Sequence, residues 1–116
     1  MTETTIARLF KEQVKPVLGC TEPSAITKAG LAASAGLTYL LGGDIARIEN
    51  AMKIFAADIT GVICDGAKPS CSLKLATSAS SALQSALFSL RGMTIGGTQG
   101  IIRNNLNLTL KNIAKF

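Results

Sequence analysis

All three cysteines of this 116-residue chain lie in two polar segments. Residues 61–74, Gly-Val-Ile-Cys-Asp-Gly-Ala-Lys-Pro-Ser-Cys-Ser-Leu-Lys, carry Cys64 and Cys71, and they lie between two apolar, alanine-rich stretches typical of helices. Residues 19–23, Gly-Cys-Thr-Glu-Pro, carry Cys20. The chain has no histidine, which excludes Ser-His-Asp and Cys-His triads and histidine-based zinc and iron sites. Thiolate, carboxylate and lysine are therefore the groups available for chemistry.

Three thiolates without histidine suit an iron–sulfur cluster better than a zinc ion. A four-iron cluster held by three cysteines keeps one iron open to substrate, as a hydro-lyase requires. That iron acts as a Lewis acid on a hydroxyl or thiol leaving group, while a protein base takes the neighbouring proton.

Two other interpretations of the cysteines stay open. Cysteine is often an inert buried residue, and this chain lacks the C-x2-C pattern typical of many cluster proteins. A reversible disulfide between Cys64 and Cys71 would instead indicate a thiol-based redox protein. Glu22 and Asp65 lie close to cysteines in the sequence, where a carboxylate either lines a pocket or stabilises the entrance of a helix.

The composition indicates one all-α domain whose core is built from small and aliphatic side chains. Hydrophobic residues make up 47% of the chain but aromatic residues only 4%, which favours closely packed helices over a sandwich. A chain that is this short and this apolar is expected to bury part of its surface against another subunit or chain. The formal charge of +5 is scattered and accompanied by one tyrosine and no tryptophan, so we expect no nucleic-acid surface.

The sequence predicts a cytoplasmic protein without a membrane span. Residues 1–12 are polar and charged and contain no apolar stretch typical of a signal peptide, and a reducing compartment keeps cysteines available for metal binding or catalysis. The most apolar stretch, residues 29–41, is interrupted by Ser34 and Thr38 and falls short of the ~20 residues that cross a bilayer. We interpret it as a buried helix.

Apolar periodicity predicts an all-α, single-domain bundle of four to five helices. The predicted helices cover residues 2–14, about 21–41, 45–60, about 70–90, and a last one that begins at 104 or 105. Their predicted caps and stops are Thr21, Asp44, the glycines 42–43, residues 91–92 and Asn104 or Asn105. The side chains expected in the core are Ile45, Ile48, Met52 and Phe55 in the third helix and Leu73, Ala76, Leu83, Ala86 and Leu87 in the fourth.

The end of the chain leaves two further alternatives open. The spacing of two between Leu106, Leu108 and Leu110 is compatible with a short strand as well as with a helix. Residues 94–100 contain three glycines, but their spacing matches neither of the common phosphate-binding patterns. A mobile turn is therefore favoured there over a phosphate cradle.

Two long motifs resemble the iron–sulfur L-serine dehydratase alpha-chain family, and within it the L-cysteine desulfidase branch. They are residues 15–26, Lys-Pro-Val-Leu-Gly-Cys-Thr-Glu-Pro-Ser-Ala-Ile, and residues 60–74, which include Ile-Cys-Asp-Gly-Ala-Lys. Residues 39–51 and 87–116 also resemble the end of that family. Members are several times longer and carry a large middle region with another cysteine segment. Residues 1–116 are therefore expected to be one shortened domain that joins the N-terminal motif to the C-terminal part.

The resemblance implies an oxygen-sensitive [4Fe-4S] enzyme that removes ammonia, with water or hydrogen sulfide, from L-serine or L-cysteine to give pyruvate. Cys20 and Cys64 match expected cluster ligands, and we hypothesise that Cys71 is the third. The other expected site residues are the catalytic Lys68 and Asp65 and the substrate-binding Thr21, Glu22 and Lys74. A homo-oligomer or a second family chain is the expected assembly. The alternative is a catalytically incomplete family remnant that acts as a helical scaffold or partner subunit.

Overall fold

A computed structural model describes the backbone of residues 23–62 and 68–115, and the side chains from residue 28 onward within those ranges. These residues form four helices and no strand: α1 (Pro23–Leu40), α2 (Ile45–Ile59), α3 (Cys71–Leu90) and α4 (Leu106–Ala114). The all-α prediction is confirmed, and the strand alternative near residue 106 is wrong because α4 occupies it. The predicted helix at residues 2–14 and the predicted Thr21 cap lie outside the described residues. No helix among them is both long and apolar enough to cross a membrane.

The helix ends follow the local signals in the sequence. α1 stops before Gly42, whose φ of +91° suits glycine, and α3 stops before Gly92 at φ +89°. Asp44 is the N-cap of α2, and its carboxylate accepts a hydrogen bond of 2.9 Å from the Arg47 N–H. Asn105 caps α4 in the same way, with its side-chain oxygen 2.7 Å from the Asn107 nitrogen. These ends confirm the predicted stops and caps.

Helices α1, α2 and α3 all pack against one another, whereas α4 packs on α2 alone among the described helices. The three meet at Gly30 of α1. A Cβ built on Gly30 lies 2.0 Å from Phe55 Cζ of α2 and 2.6 Å from Ser78 Oγ of α3. Only a glycine lets the helices approach this closely. Arg47 of α2 reaches the end of α3 at the Ser89 carbonyl, so α2 runs antiparallel to α3.

The buried stripe of α2 differs from the predicted one. Phe55 is fully buried, as expected, but Ile45 is 74% exposed, and Ile48 and Met52 are only half-buried. The physical reason is the contact at Gly30, which centres the packing of α2 on Phe55. Ile45 is the first residue of the helix and lies ten positions, or about 15 Å, before Phe55. The buried apolar residues lie closer to Phe55 along the helix and are Ala51, Ile54, Ala56 and Ile59.

Helix α3 turns its serines inward and its leucines outward, which is the reverse of the prediction. Of the five residues predicted in its core, only Ala86 is buried; Leu73, Ala76, Leu83 and Leu87 are exposed. The buried face consists of Ser78, Ser81, Ala82, Ser85, Ala86 and Ser89. Small side chains suit the close approach that Gly30 allows, and every buried side-chain polar atom among the described residues has a hydrogen-bond partner.

The glycine-containing turn before α4 packs closely on the residues that follow it. The Gly97 N–H donates to the Asn104 side-chain oxygen at 3.0 Å, and a Cβ built on Gly97 would lie 2.2 Å from that oxygen. Ile102, just beyond the turn, is buried in the main core. The close backbone approach at Gly97 therefore accounts for one of the three glycines.

Candidate metal centre

One end of the bundle brings together the described residues that border the cysteine segments. From the contact at Gly30, α1 runs back seven positions to Pro23, and from Ser78, α3 runs back seven positions to Cys71. The two helices run in the same direction, because a Cβ built on Gly43, just after α1, would lie 3.2 Å from Leu90 Cδ2 at the end of α3. With a rise of about 1.5 Å per residue, both therefore begin about 10 Å beyond the contact, at the same end. Because α2 is antiparallel, its chain leaves at the same end, where Val62 lies seven positions after Phe55. We call this the cysteine end.

Most of the predicted site residues lie outside the described part of the chain. These are Cys20, Thr21, Glu22, Cys64 and Asp65. Cys20 is three positions before Pro23, and Cys64 is two positions after Val62. Both are therefore tethered by short segments to backbone at the cysteine end. Among the described residues, no three potential ligands of the His, Cys, Asp or Glu types are close enough to hold a metal ion.

Cys71 is the predicted ligand that the structure describes, and it is the first residue of α3. Its N–H donates to the Lys68 carbonyl at 2.9 Å, and the Leu73 N–H donates to the Ser70 carbonyl at 3.0 Å. The cap residue Ser70 has helical backbone angles and makes no side-chain capping bond. A tight turn rather than a side-chain cap therefore starts α3, and the Cys71 side chain is half-buried.

Cys71 and Lys74 extend the inward face of α3 toward the cysteine end. They precede the buried Ser78 by seven and four positions, a spacing that places all three on one side of a helix. Both side chains are half-buried, whereas Lys68 is exposed. The Lys74 ammonium is thus carried on the face that α3 turns toward α1 and α2. Of the two predicted lysines, Lys74 has the more site-like placement.

A polar groove between α2 and α3 was not predicted from the sequence. It encloses about 350 Å³ and is lined by Asp58, Ala76, Thr77, Ser80, Ser81 and Gln84. The Asp58 carboxylate accepts a hydrogen bond from Ser81 Oγ across it. Thr77 lies about 120° around α3 from Cys71, so the groove and Cys71 lie on different faces of that helix. No sequence signal marked Asp58, because a lone acid on an amphipathic helix is typical of a solvated face.

The donor set at the cysteine end can be judged against an iron–sulfur cluster. Thiolates are the usual protein ligands of such clusters, the chain offers three and no histidine, and the described backbone next to all three lies at one end of the bundle. The donor set therefore fits this group in its chemistry.

The sequence pattern of the family described as serine dehydratase alpha chain matches residues 6–116. The chain belongs to the serine dehydratase alpha chain family. Members of this family generally depend on an iron–sulfur cluster. This membership confirms the resemblance to the alpha-chain family inferred from the two motifs.

Similar curated proteins are several times longer than this family member. A UPF0597 protein of Desulfotalea psychrophila is 46% identical over 110 residues, which cover 95% of this chain and 24% of the relative. A UPF0597 protein of Caldanaerobacter subterraneus is 36% identical over 114 residues, covering 97% of this chain and 27% of that protein. The chain thus spans about a quarter of the length of these relatives. No solved structure matches it.

Proposed function

We propose that the chain contributes the cluster-binding end of an iron–sulfur-dependent ammonia-lyase, which converts L-serine or L-cysteine to pyruvate by β-elimination. The observation that carries this proposal is the convergence, in a serine dehydratase alpha chain, of Cys71 and of the backbone bordering Cys20 and Cys64 at one end of the bundle. A reducing cytoplasmic setting goes with it, because such a setting keeps the thiols available.

In this proposal Cys20, Cys64 and Cys71 would hold a [4Fe-4S] cluster. When bound, the cluster supplies an open iron that polarises the leaving hydroxyl or thiol group of the substrate. Cys71 is suited to this role because it is half-buried, lies at a helix start and faces the two neighbouring helices. Thr21 and Glu22 immediately follow Cys20 and are proposed to line the same pocket.

The lysines and acids of the chain are proposed to handle the amino-acid substrate. Lys74, half-buried on the inward face of α3, binds the substrate carboxylate as a point charge. Asp65 or Lys68 takes the proton from the substrate Cα. The electron pair of that C–H bond forms a Cα–Cβ double bond. The group on Cβ departs with its bonding electrons, takes up the proton held by that base, and leaves as water or hydrogen sulfide. The resulting enamine tautomerises to an imine, which water hydrolyses to pyruvate and ammonium.

Anaerobic reconstitution with iron and sulfide tests the ligand assignment. We expect a cluster absorbance and EPR signal in the unaltered chain, and a loss of at least about half of the bound iron in Cys71→Ser, because a hydroxyl is a much poorer cluster ligand than a thiolate. The neighbouring exposed Ser72→Ala is the matched control and keeps its iron. A full cluster signal in Cys71→Ser would exclude Cys71 as a ligand.

The activity is tested by measuring pyruvate from L-serine and from L-cysteine without oxygen. In Lys74→Met we expect KM to rise at least about tenfold, the effect of losing one charge-assisted contact worth about 1.5–3 kcal/mol. Cluster content should stay unchanged. Lys68→Met provides the comparison. A Lys74→Met chain with an unaltered KM would remove this residue from the substrate site.

A second candidate function is that of a catalytically incomplete family remnant, which acts as a helical scaffold or partner subunit. Such a chain would carry part of a site and would need another polypeptide for turnover. A chain that binds a full cluster but forms no pyruvate would favour this second function over the first.

A further inference from the structure

The polar groove between α2 and α3 adjoins a second cavity that has a different lining. The second cavity encloses about 270 Å³, and Asp58 and Gln84 line both spaces. Its remaining lining is mostly apolar and consists of Ile54, Ala57, Ser85, Phe88, Met93 and Ile95. We call the two spaces together the two-lobed cleft. Its size falls in the range of small-molecule sites, roughly 300–1,000 Å³, and its polar and apolar lobes meet at one carboxylate.

The Asp58 carboxylate is positioned at this junction by a buried hydroxyl group of α3. Ser81 Oγ donates a hydrogen bond to Asp58 Oδ2, and Ser81 is only 4% exposed. No other hydrogen bond or ion pair joins Asp58 to the part of the chain that the structure describes. Asp58 Oδ1 is therefore an acceptor that a ligand in the cleft can use. Because Ser81 already orients the carboxylate, binding costs less conformational entropy.

No positive charge balances Asp58 within the cleft. The described residues that line the two lobes include no lysine and no arginine. The other hydrogen-bonding groups of the polar lobe are neutral, namely the hydroxyls of Thr77 and Ser80 and the amide of Gln84. The charge that complements this lobe is therefore a single positive one, carried by a group that donates hydrogen bonds.

The same lining disfavours two other classes of ligand. An amino acid would bring its own carboxylate close to Asp58 without a cation to balance it. A calcium ion takes six to eight oxygen ligands, commonly from several carboxylates, whereas Asp58 is the only carboxylate among the described residues of the cleft. An organic ammonium ion without a carboxylate fits both lobes better.

The apolar lobe suits the tail of such a ligand. Phe88 of α3 and Met93, just beyond that helix, are 41% and 46% exposed, and Ile54 lies buried beside them. A tail that rests on these side chains removes apolar surface from water. Aromatic rings and methionine sulfur also make favourable contacts with an aromatic tail.

We propose that the two-lobed cleft binds a small organic ammonium ion, a primary amine with an apolar tail. Its ammonium group donates to Asp58 Oδ1 and to the neutral oxygens of the polar lobe, and its tail lies against Phe88 and Met93. The groove and Cys71 lie on different faces of α3, so this site is separate from the proposed cluster ligand and does not depend on the proposed lyase function.

A series of related compounds tests the charge on the unaltered full chain. The probe is 2-phenylethylamine, titrated while amide chemical shifts are followed by NMR. We expect saturable shifts centred on the residues of the cleft, with a Kd of about 1 mM, an ordinary affinity for so small a ligand. The neutral analogue 2-phenylethanol should bind at least about tenfold more weakly, because it lacks the charge-assisted hydrogen bond. Phenylalanine should also bind at least about tenfold more weakly, because its carboxylate is repelled by Asp58.

Two substitutions on α2 test the assignment of Asp58. Asp58→Asn removes the charge but keeps an oxygen that accepts from Ser81 Oγ. It should weaken binding of 2-phenylethylamine at least about tenfold and leave that of 2-phenylethanol unchanged. Glu49→Gln is the matched control, since it removes the same charge from another exposed position of α2 outside the cleft. It should bind the amine within about twofold of the unaltered chain, and circular dichroism checks the helix content of both variants.

The proposal is overturned if either analogue binds as tightly as 2-phenylethylamine, or if the shifts centre outside the cleft. It is also overturned if a folded Asp58→Asn chain binds the amine as tightly as Glu49→Gln does. Should Asp58→Asn fail to fold, the series of compounds decides the question, because it needs no substitution. These readouts measure binding alone, so they are independent of cluster content and of pyruvate formation.

Discussion

The two ends of the bundle are held in different ways. At the end opposite the cysteine end, which we call the turn end, Arg47 donates from one guanidinium nitrogen to the Ser89 and Leu90 carbonyls, each at 2.8 Å. Asn50 donates to Ser89 Oγ and to the Met93 carbonyl. At the cysteine end α3 begins without a side-chain cap. Side-chain hydrogen bonds therefore stabilise the end of α3 that lies away from the cysteines, whereas its described start has no side-chain cap.

This difference indicates that the two ends of the bundle have different roles. The last carbonyls of a helix lack intrahelical partners, and Arg47 satisfies two of those of α3 while placing a positive charge at its negative end. The inward residues at the opposite end of α3 are instead a thiol and an ammonium. Side chains at the turn end thus join α2 to α3, whereas the described inward side chains at the cysteine end include two groups that can bind a ligand.

The largest predicted effect comes from Gly30, where the three helices cross between the two ends. Gly30→Ala should lower the free energy of unfolding by about 3 kcal/mol, because its Cβ would overlap Phe55 and force helices apart that now lie in contact. Urea unfolding followed by helical circular dichroism measures this change.

Gly36→Ala is the matched control in the same helix. A Cβ there meets no atom within 4 Å, so this substitution should raise the stability of the isolated chain by up to about 1 kcal/mol. If the two alanines had the same effect, close packing at Gly30 could not be what brings the helices together.

The second largest loss of stability is predicted for a substitution of Asn50, at the turn end. Asn50→Ala removes two hydrogen bonds that join α2 to the end of α3, and should lower the free energy of unfolding by about 2 kcal/mol because Ser89 Oγ loses a partner in a buried site. Glu49→Ala, at the exposed neighbouring position, should change it by less than about 0.5 kcal/mol. Equal effects at both positions would show that the hydrogen bonds of Asn50 do not stabilise the turn end.

The helix ends could be predicted from the sequence, because their signals are local. Gly42, Asp44, Gly92 and Asn105 each act on their own turn of backbone, through a positive φ or a side-chain oxygen. The stripe that faces inward on α3 could not be predicted in the same way. Two stripes with the same spacing compete there, and the larger transfer free energy of leucine favours placing the leucines inside.

The choice between those stripes depends on a contact distant in sequence. Gly30 brings α1 so close to Ser78 that leucine would not fit on the inward face of α3, and this distance is fixed only when the helices pack. The same limit applies to the candidate site. The position of Cys71 at a helix start followed from the local sequence, and the groove at Asp58 did not. The meeting of Cys20 and Cys64 with Cys71 stays a prediction, because both lie outside the described residues.

The smallest effect is predicted for Cys71→Ala. Comparing it with Ser89→Ala tests the difference between the cysteine end and the turn end on one face of α3. Cys71 and Ser89 lie on the inward face of α3, 18 positions apart. Ser89→Ala should cost about 1–2 kcal/mol, since Ser89 Oγ donates to the Arg47 carbonyl and accepts from Asn50. Cys71→Ala should change the free energy of unfolding of the cluster-free chain by less than about 1 kcal/mol, because this side chain is only half-buried. A loss above about 1 kcal/mol in Cys71→Ala would make this cysteine part of the core, and the cysteine end would then be fastened like the turn end.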